Sequence, residues 1–533
     1  MTSETAQISE PAGALSPAGS PPAAVGIPQV PPEPTRTKRA AWSYGSNVLF
    51  ALVTMGVGLV TTPLLIRLLG TTRFGAVRAA TDVAGYTGLL ELGLGGAVLA
   101  MLAQAIGRGD VVRVNAVLKA ALRSYRVVAT LMVLVGAVIG LFIARLVPVP
   151  PDLRNELRLG FAVLVLSMTL TPLTVYRLFA EASQRGYVVV LLLTIQSIVT
   201  TGLCLLAAWA GFGLPGQFLA TTMALLPTLL LLRRSARKRV GLNAAAPGES
   251  DREIRRELWT LSWPTFGLSI CYRLSLLTDN VLVAWFYGPA AVVTFFATQR
   301  LATIAQSQLQ GFTSATWAGF SHLDARGEAH RMEVVLAELT RLVVALGVAA
   351  VFPIMAYNAT FVSLWVGKNL YGGPLLTIVA CAVAVVLPIT TLWSWVLAGS
   401  GRLQDLLPLS LISTAVNVPC SVLATWRLGL AGPLIGTLTA SLLVNSWWLP
   451  ILLRRHFGIS SGVLAAAALK PVALAVPFIC TWVFLLRGRP PGGWISLALH
   501  MAGLAIAYLI ACWFLVFRPE DRDQLLSRLH LLR

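Results

Sequence analysis

Apolar runs of roughly 20 residues recur along the chain, each long enough to cross the hydrocarbon core of a bilayer as a helix. About fourteen can be placed, at 46–69, 73–105, 124–146, 158–180, 187–210, 214–232, 259–286, 290–318, 338–365, 374–398, 406–426, 430–452, 463–485 and 493–517. Backbone groups in lipid must pair internally, and runs this long and apolar achieve that only as helices. The fold expected is all-α: a polytopic membrane protein of about fourteen transmembrane helices, in two pseudo-symmetric six-helix lobes with two further C-terminal helices.

The lobes follow from a repeat. Gly70 closes the first apolar run, and Arg108-Gly109-Asp110-Val111-Val112-Arg113 closes the next; Gly288 and Arg326-Gly327-Glu328-Ala329-His330-Arg331 do the same 218 positions later. Six spans separate the two occurrences, so both halves enter the membrane in one orientation, as a parallel repeat about an axis along the membrane normal. The domain plan is then a tail at 1–40, an N-lobe at 41–232, a basic linker at 233–258, a C-lobe at 259–453, two last spans at 454–517 and a C-terminal tail at 518–533. Residues 1–40, rich in Pro, Ala, Ser and Gly, read as a disordered cytoplasmic tail and not as a cleaved signal peptide. No loop is longer than about 30 residues, which leaves no room for a catalytic domain outside the membrane.

Composition supports this reading: 56% of residues are hydrophobic and 12% charged, with mean hydropathy +0.76. The net charge of +19 would suit a nucleic-acid binder, but its distribution excludes that. With the N-terminus inside, roughly 29 Lys and Arg fall in cytoplasmic segments and roughly 10 in outer ones. The excess is a topology signal that places both termini in the cytoplasm, with attraction to anionic bilayer lipids as a by-product. All six cysteines lie in spans without a CxxC neighbour, so neither disulfides nor zinc are expected. The five histidines have no metal-ligand spacing, and no phosphate-binding G-x-x-x-x-G-K-[ST] loop occurs, so no metal, cofactor or catalytic centre is expected.

Candidate function rests on ionisable residues at membrane depth, which are costly in lipid and face a cavity or a partner. The second span carries Asp82 and Glu91; on a continuous helix they point to opposite faces, Asp82 with Tyr86 and Gly93, Glu91 with Gly88 and Gly95. Span seven carries Tyr272, Arg273, Asp279 and Asn280. Span eight carries a polar stripe of Gln299, Arg300, Thr303, Gln306 and Gln310. Arg300 is the strongest candidate, because a permanently charged planar guanidinium suits a diphosphate. Arg67, Arg73 and Arg78 breach the positive-inside trend and hint at an anionic partner. Asp82 and Arg300 each lie twelve positions after the turn glycine, so they are pseudo-equivalent and expected to face each other as a gate pair.

The stretch Pro63-Leu64-Leu65-Ile66-Arg67-Leu68-Leu69-Gly70, with Phe74-Gly75, Gly85-Tyr86 and Leu89-Leu90-Glu91-Leu92-Gly93-Leu94, resembles the opening of the polysaccharide flippases. These belong to the multidrug/oligosaccharidyl-lipid/polysaccharide exporter superfamily. Trp263-Pro264, Asp279 and Gly288 are similar to the same family's seventh span and its turn. Glu91 stands where Asp is common, and Asn280 where a basic residue is common. The resemblance implies an undecaprenyl-diphosphate-linked glycan, flipped from the cytoplasmic to the periplasmic leaflet of the bacterial inner membrane by alternating access of two lobes. It also implies a cationic cavity built from Arg300, Arg273, Arg67, Gln299, Gln306 and Gln310. Asp82, Glu91 and Asp279 are the available proton carriers, and a polysaccharide polymerase and chain-length machinery are the implied partners. The alternatives are a cation-coupled small-molecule exporter or a peptidoglycan-precursor flippase of the same superfamily. A membrane glycosyltransferase is disfavoured by the absence of a large outer loop.

Overall fold

The computed structural model describes residues 36–240, 251–485, 491–517 and 522; the expected tail over 1–35, the middle of the basic linker and nearly all of 518–533 lie outside the described residues. The helices are α1 (Arg36–Gly85), α2 (Leu94–Gly107), α3 (Val111–Leu146), α4 (Arg154–Ser167), α5 (Val175–Ala182), α6 (Gly186–Trp209) and α7 (Gly213–Val240). They continue as α8 (Asp251–Tyr287), α9 (Pro289–Ala315), α10 (Trp317–Ala325), α11 (Ala329–Trp365), α12 (Pro374–Gly399), α13 (Leu403–Leu428), α14 (Gly432–Ala440), α15 (Ser446–Phe457), α16 (Ser461–Leu485) and α17 (Trp494–Leu515). Among the described residues there is no strand, and ten segments are long and apolar enough to cross a membrane. The protein is a multi-pass, all-α membrane protein, and its described residues from Ser46 onward form one compact unit.

The repeat is visible in the backbone. Gly70 breaks α1 at φ 78, ψ 162, and Gly288 ends the corresponding span at φ 82, ψ 166. Both conformations are open to glycine and strained for any other residue. The second pair of glycines matches too, Gly109 at φ 69 and Gly327 at φ 68. Beyond them Asp110 caps α3 by accepting the Arg113 amide at 2.8 Å. The equivalent Glu328 instead pairs with the Arg331 guanidinium at 3.1 Å.

Two expectations need correction. The second span is not one continuous helix: Tyr86–Glu91 tightens to a 3-10 turn, Leu92 takes φ 52, and α2 restarts after Gly93 at φ 74. Angular bookkeeping from Asp82 through to Gly93 therefore fails. A stretch holding Gly85, Gly88, Gly93, Gly95 and Gly96 has poor helix propensity and yields to tertiary contacts. Its C-lobe counterpart keeps a glycine at one of these five positions, Gly311, and stays helical from Pro289 to Ala315. The basic linker is also largely helix, since α7 runs on to Val240 and α8 starts at Asp251. Arg233, Arg234, Arg237 and Lys238 therefore lie on a helix that outlasts its apolar segment.

The buried side chains show how the lobes meet. At the Gly70–Gly288 end one shared core joins Ala76, Ala79, Ala80 and Val83 of α1 to Val283 and Ala284 of α8, Val292 and Phe295 of α9, and Ala380 and Ala384 of α12. An aromatic cluster beside it packs Phe74 against Phe296, Tyr357, Phe361 and Trp365. Gly75 lies so close to the Pro289 backbone that an added Cβ would collide with its carbonyl. At the opposite, basic end each lobe has its own core. Met101, Leu118, Tyr125 and Phe179 centre one, joined by Ile254 and Leu258 from the start of α8. Phe320, Met332, Leu392 and Leu453 centre the other, which α16 and α17 extend through Ala475 and Tyr508. The lobes are thus welded at one end and built separately at the other.

Candidate functional site

Polar groups gather where the shared core gives way to the two separate ones. On α1, Arg78, Asp82 and Tyr86 follow at i, i+4 and i+8 and so share one face. Asp82 accepts a hydrogen bond from the Asn280 amide of α8 at 2.7 Å. Tyr86 shares one with the Thr278 hydroxyl at 3.0 Å. The Arg78 guanidinium stacks on the Phe296 ring at 3.9 Å and reaches Phe74 at 5.3 Å. Arg300, one turn beyond Phe296 on α9, lies 5.4 Å from the same ring. A Cβ on Gly58 of α1 would come within 3.0 Å of its Nη2, so the missing side chain there is what admits the guanidinium. The Nε of Arg300 is buried without a hydrogen-bond partner. One ring thus carries two cations at the lobe interface, roughly 12 and 18 Å of helix rise from Gly70 and Gly288.

A second cluster lies further toward the basic end, inside the break in the second span. Glu91 accepts a hydrogen bond from the Tyr125 hydroxyl of α3 at 2.6 Å. It also forms an ion pair across the lobes with Nη2 of Arg273 on α8 at 3.6 Å. Two glycines make the room: Gly88 leaves no side chain in the path of the Arg273 guanidinium, and a Cβ on Gly95 would sit 3.0 Å from Oε1 of Glu91. Gly88 and Gly95 thus act here as packing residues that let Glu91 and Arg273 approach.

The structure sorts the sequence candidates. It brings Asp82, Asn280 and Tyr86 together, places Arg300 against the ring that Arg78 covers, and joins Glu91 to Arg273. Asp279 is half-buried, with Oδ1 unpartnered. Asp82 and Arg300 do not pair. Pseudo-symmetry gives them equal depth, but the Arg300 side chain turns back along α9 to Phe296 and Gly58, and Asn280 takes the carboxylate. Gln299, Gln306 and Gln310 are half-buried, and the exposed Thr303, Ser307 and Ser314 continue the stripe toward the basic end. Residues of α9 nearer Gly288, such as Val292, Val293, Phe295 and Ala297, are fully buried. Arg67 stands exposed one turn before Gly70, without an ion pair. For Arg73 the anionic partner hinted at is within the lobe: Glu156 accepts from its Nε at 3.1 Å and also takes the Leu214 amide. The side chain of Tyr272 lies outside the described residues.

Phe296 and Tyr125 were missed as site residues, and Arg78 was marked only as a hint of an anionic partner. The i, i+4 spacing of Arg78 with Asp82 was a usable signal. So was the 218-residue offset, which makes Arg78 and Phe296 pseudo-equivalent. Nothing local marks Tyr125.

Three comparisons bear on this arrangement. A family model described as polysaccharide biosynthesis protein matches residues 43–318. The chain is 22% identical over 504 residues to the uncharacterized membrane protein EpsK of Bacillus subtilis (strain 168), covering 91% of this chain and 97% of that one. Among solved structures it is similar to the lipid II flippase MurJ in an inward closed conformation, with TM-score 0.66 and 11% identity over 88% of this chain and 99% of that one. It is also similar to an inward-facing multidrug resistance MATE family transporter of the MOP superfamily, with TM-score 0.59 and 16% identity over 79% and 99% of the two chains. At these identities the structural likenesses show the fold.

Proposed function

The chain belongs to the polysaccharide biosynthesis protein family, and from that premise we propose that it is a flippase for an undecaprenyl-diphosphate-linked glycan, moved from the cytoplasmic to the periplasmic leaflet by alternating access. The observation that carries the reading is the asymmetry between the two ends: one core shared by both lobes around Gly70 and Gly288, and two separate cores at the basic end. The basic end is cytoplasmic on the positive-inside rule, which puts both chain termini there and makes the present state closed to the periplasm. Arg78, Arg300 and Arg273 then meet a diphosphate arriving from the cytoplasmic side, and the Gln306 and Gln310 stripe offers hydrogen bonds to sugar hydroxyls. The hydrocarbon chain of the substrate stays in the bilayer. Separation of the shared core and closure of the basic end complete the cycle, and Asp82, Glu91 and Asp279 are the acidic groups through which a coupling proton would act. Handover to a polysaccharide polymerase would follow on the far side.

The test is the leaflet distribution of the lipid-linked glycan in a deletion strain complemented with wild type, Arg300→Lys or Arg300→Ala. The wild type is expected to restore surface glycan. Arg300→Ala is expected to leave intermediate on the cytoplasmic side, with flipping reduced at least tenfold, and Arg300→Lys to fall between them because it keeps charge but loses the guanidinium fork. Normal surface glycan in the deletion strain, with new sensitivity to cationic drugs, would overturn the reading in favour of a small-molecule exporter.

A further inference from the structure

The face of α7 that continues past its apolar segment is built for a lipid. Leu219, Met223, Leu226 and Leu230 recur at i, i+4, i+7 and i+11 and are all exposed, from 38% to 56%. They form one apolar stripe about 16 Å long. The same stripe then changes chemistry, and Leu230, Arg233, Arg234, Arg237 and Lys238 line a shallow, open surface hollow of about 420 Å³. The adjoining face of α7 is committed to the N-lobe core through Leu229, Leu232 and Ala236, each at most 3% exposed. Arg234, Arg237 and Lys238 are exposed, and Arg233 is half-buried at the edge of that face.

Four like charges on one helical face repel each other at i, i+3 and i+4. Among the described residues no carboxylate pairs with any of the four, and Nε of Arg233 is buried without a partner. The face lacks anions, and its position names their source. The exposed apolar stripe suits acyl chains, and the cations begin roughly 20 residues after Gly213, the length of helix that crosses a hydrocarbon core. A soluble anion would have no use for that stripe. The cations also span the six positions 233–238, about 7.5 Å of helix rise, which is wider than one phosphate.

We propose that this face of α7 is a binding site for an anionic bilayer phospholipid bearing two phosphates, of the diphosphatidylglycerol class, with the headgroup held by Arg233, Arg234, Arg237 and Lys238 and acyl chains along Leu219–Leu230. The bound lipid neutralises the end of the helix that leads into the crossover between the lobes, next to Ile254 and Leu258 of α8. The site is independent of what the protein transports.

The test compares full-length wild type with Arg233→Gln/Arg234→Gln/Arg237→Gln/Lys238→Gln in mild detergent. Co-purified lipid is measured by native mass spectrometry, and thermal stability is measured with added diphosphatidylglycerol, phosphatidylcholine or pyrophosphate. Diphosphatidylglycerol is expected to remain on the wild type and raise its unfolding temperature, and the quadruple variant is expected to bind it at least tenfold more weakly. Arg237→Gln/Lys238→Gln, two exposed positions, guards against misfolding of the quadruple variant and is expected to lose severalfold. Arg454→Gln/Arg455→Gln removes equal charge from α15, at the same end of the molecule, and is expected to change nothing. Equal loss in that control, unchanged lipid on both α7 variants, or stabilisation by pyrophosphate equal to that by lipid would each overturn the proposal.

Discussion

A methyl group at position 75 should pry the lobes apart. In the structure a Cβ there collides with the carbonyl of Pro289, and a backbone atom cannot swing away as a flexible side chain would. Gly75 and Pro289 are both buried beside the shared core, with Phe74 5% exposed next to them, so relief requires α1 and the α8–α9 turn to separate. Overpacking of this kind costs about 1–3 kcal/mol. That cost falls only on the state in which the two turns touch, and it vanishes where they part. Gly75→Ala is therefore expected to shift the equilibrium away from the present state by about 5- to 150-fold. A reporter at Ala297, fully buried in the same region at 0% exposure, makes the shift visible. Ala297→Cys should react slowly with a water-soluble maleimide in the parent and many-fold faster with Gly75→Ala added, while the protein still elutes as a folded species. Unchanged reactivity and unchanged thermal stability together would refute the contact and, with it, the account of which end is closed.

Two further predictions follow from single hydrogen bonds. Pro63 lacks the amide that would bond the Leu59 carbonyl, and the Trp365 indole supplies a donor at 2.6 Å from the other lobe. Trp365→Phe should cost about 1–3 kcal/mol, and less than half of that in a Pro63→Ala background, where the helix satisfies the carbonyl itself; additive thermal shifts in this double-mutant cycle would refute the coupling. Tyr125→Phe leaves Glu91 without its 2.6 Å donor and should cost about 1.5–3 kcal/mol of stability in detergent. Arg273→Gln should aggravate that loss non-additively, since both groups serve one carboxylate, and a strictly additive pair would argue against a shared site.

The sequence by itself determined the all-α membrane fold class, the repeat and the polar stripe of α9. Each of these depends on properties that are local or periodic: the length of an apolar run, the special backbone of Gly70 and Gly288, and helical spacing. It also marked the residues whose burial in lipid is too costly to be idle, and Asp82, Glu91, Arg273 and Arg300 all reach the lobe interface. Pairing was another matter. Asp82 finds Asn280 instead of Arg300, and Glu91 finds Tyr125 and Arg273, because partner choice depends on how two lobes tilt and on which glycines leave space. The break at Tyr86–Gly93 was hidden for a similar reason. Its glycines permit a helix or a kink, and only the neighbouring α3 and α8, by offering partners to Glu91, decide between them. That the lobes share a core at the Gly70–Gly288 end and are built separately at the basic end lies beyond any sequence pattern, since it rests on packing contacts between distant segments.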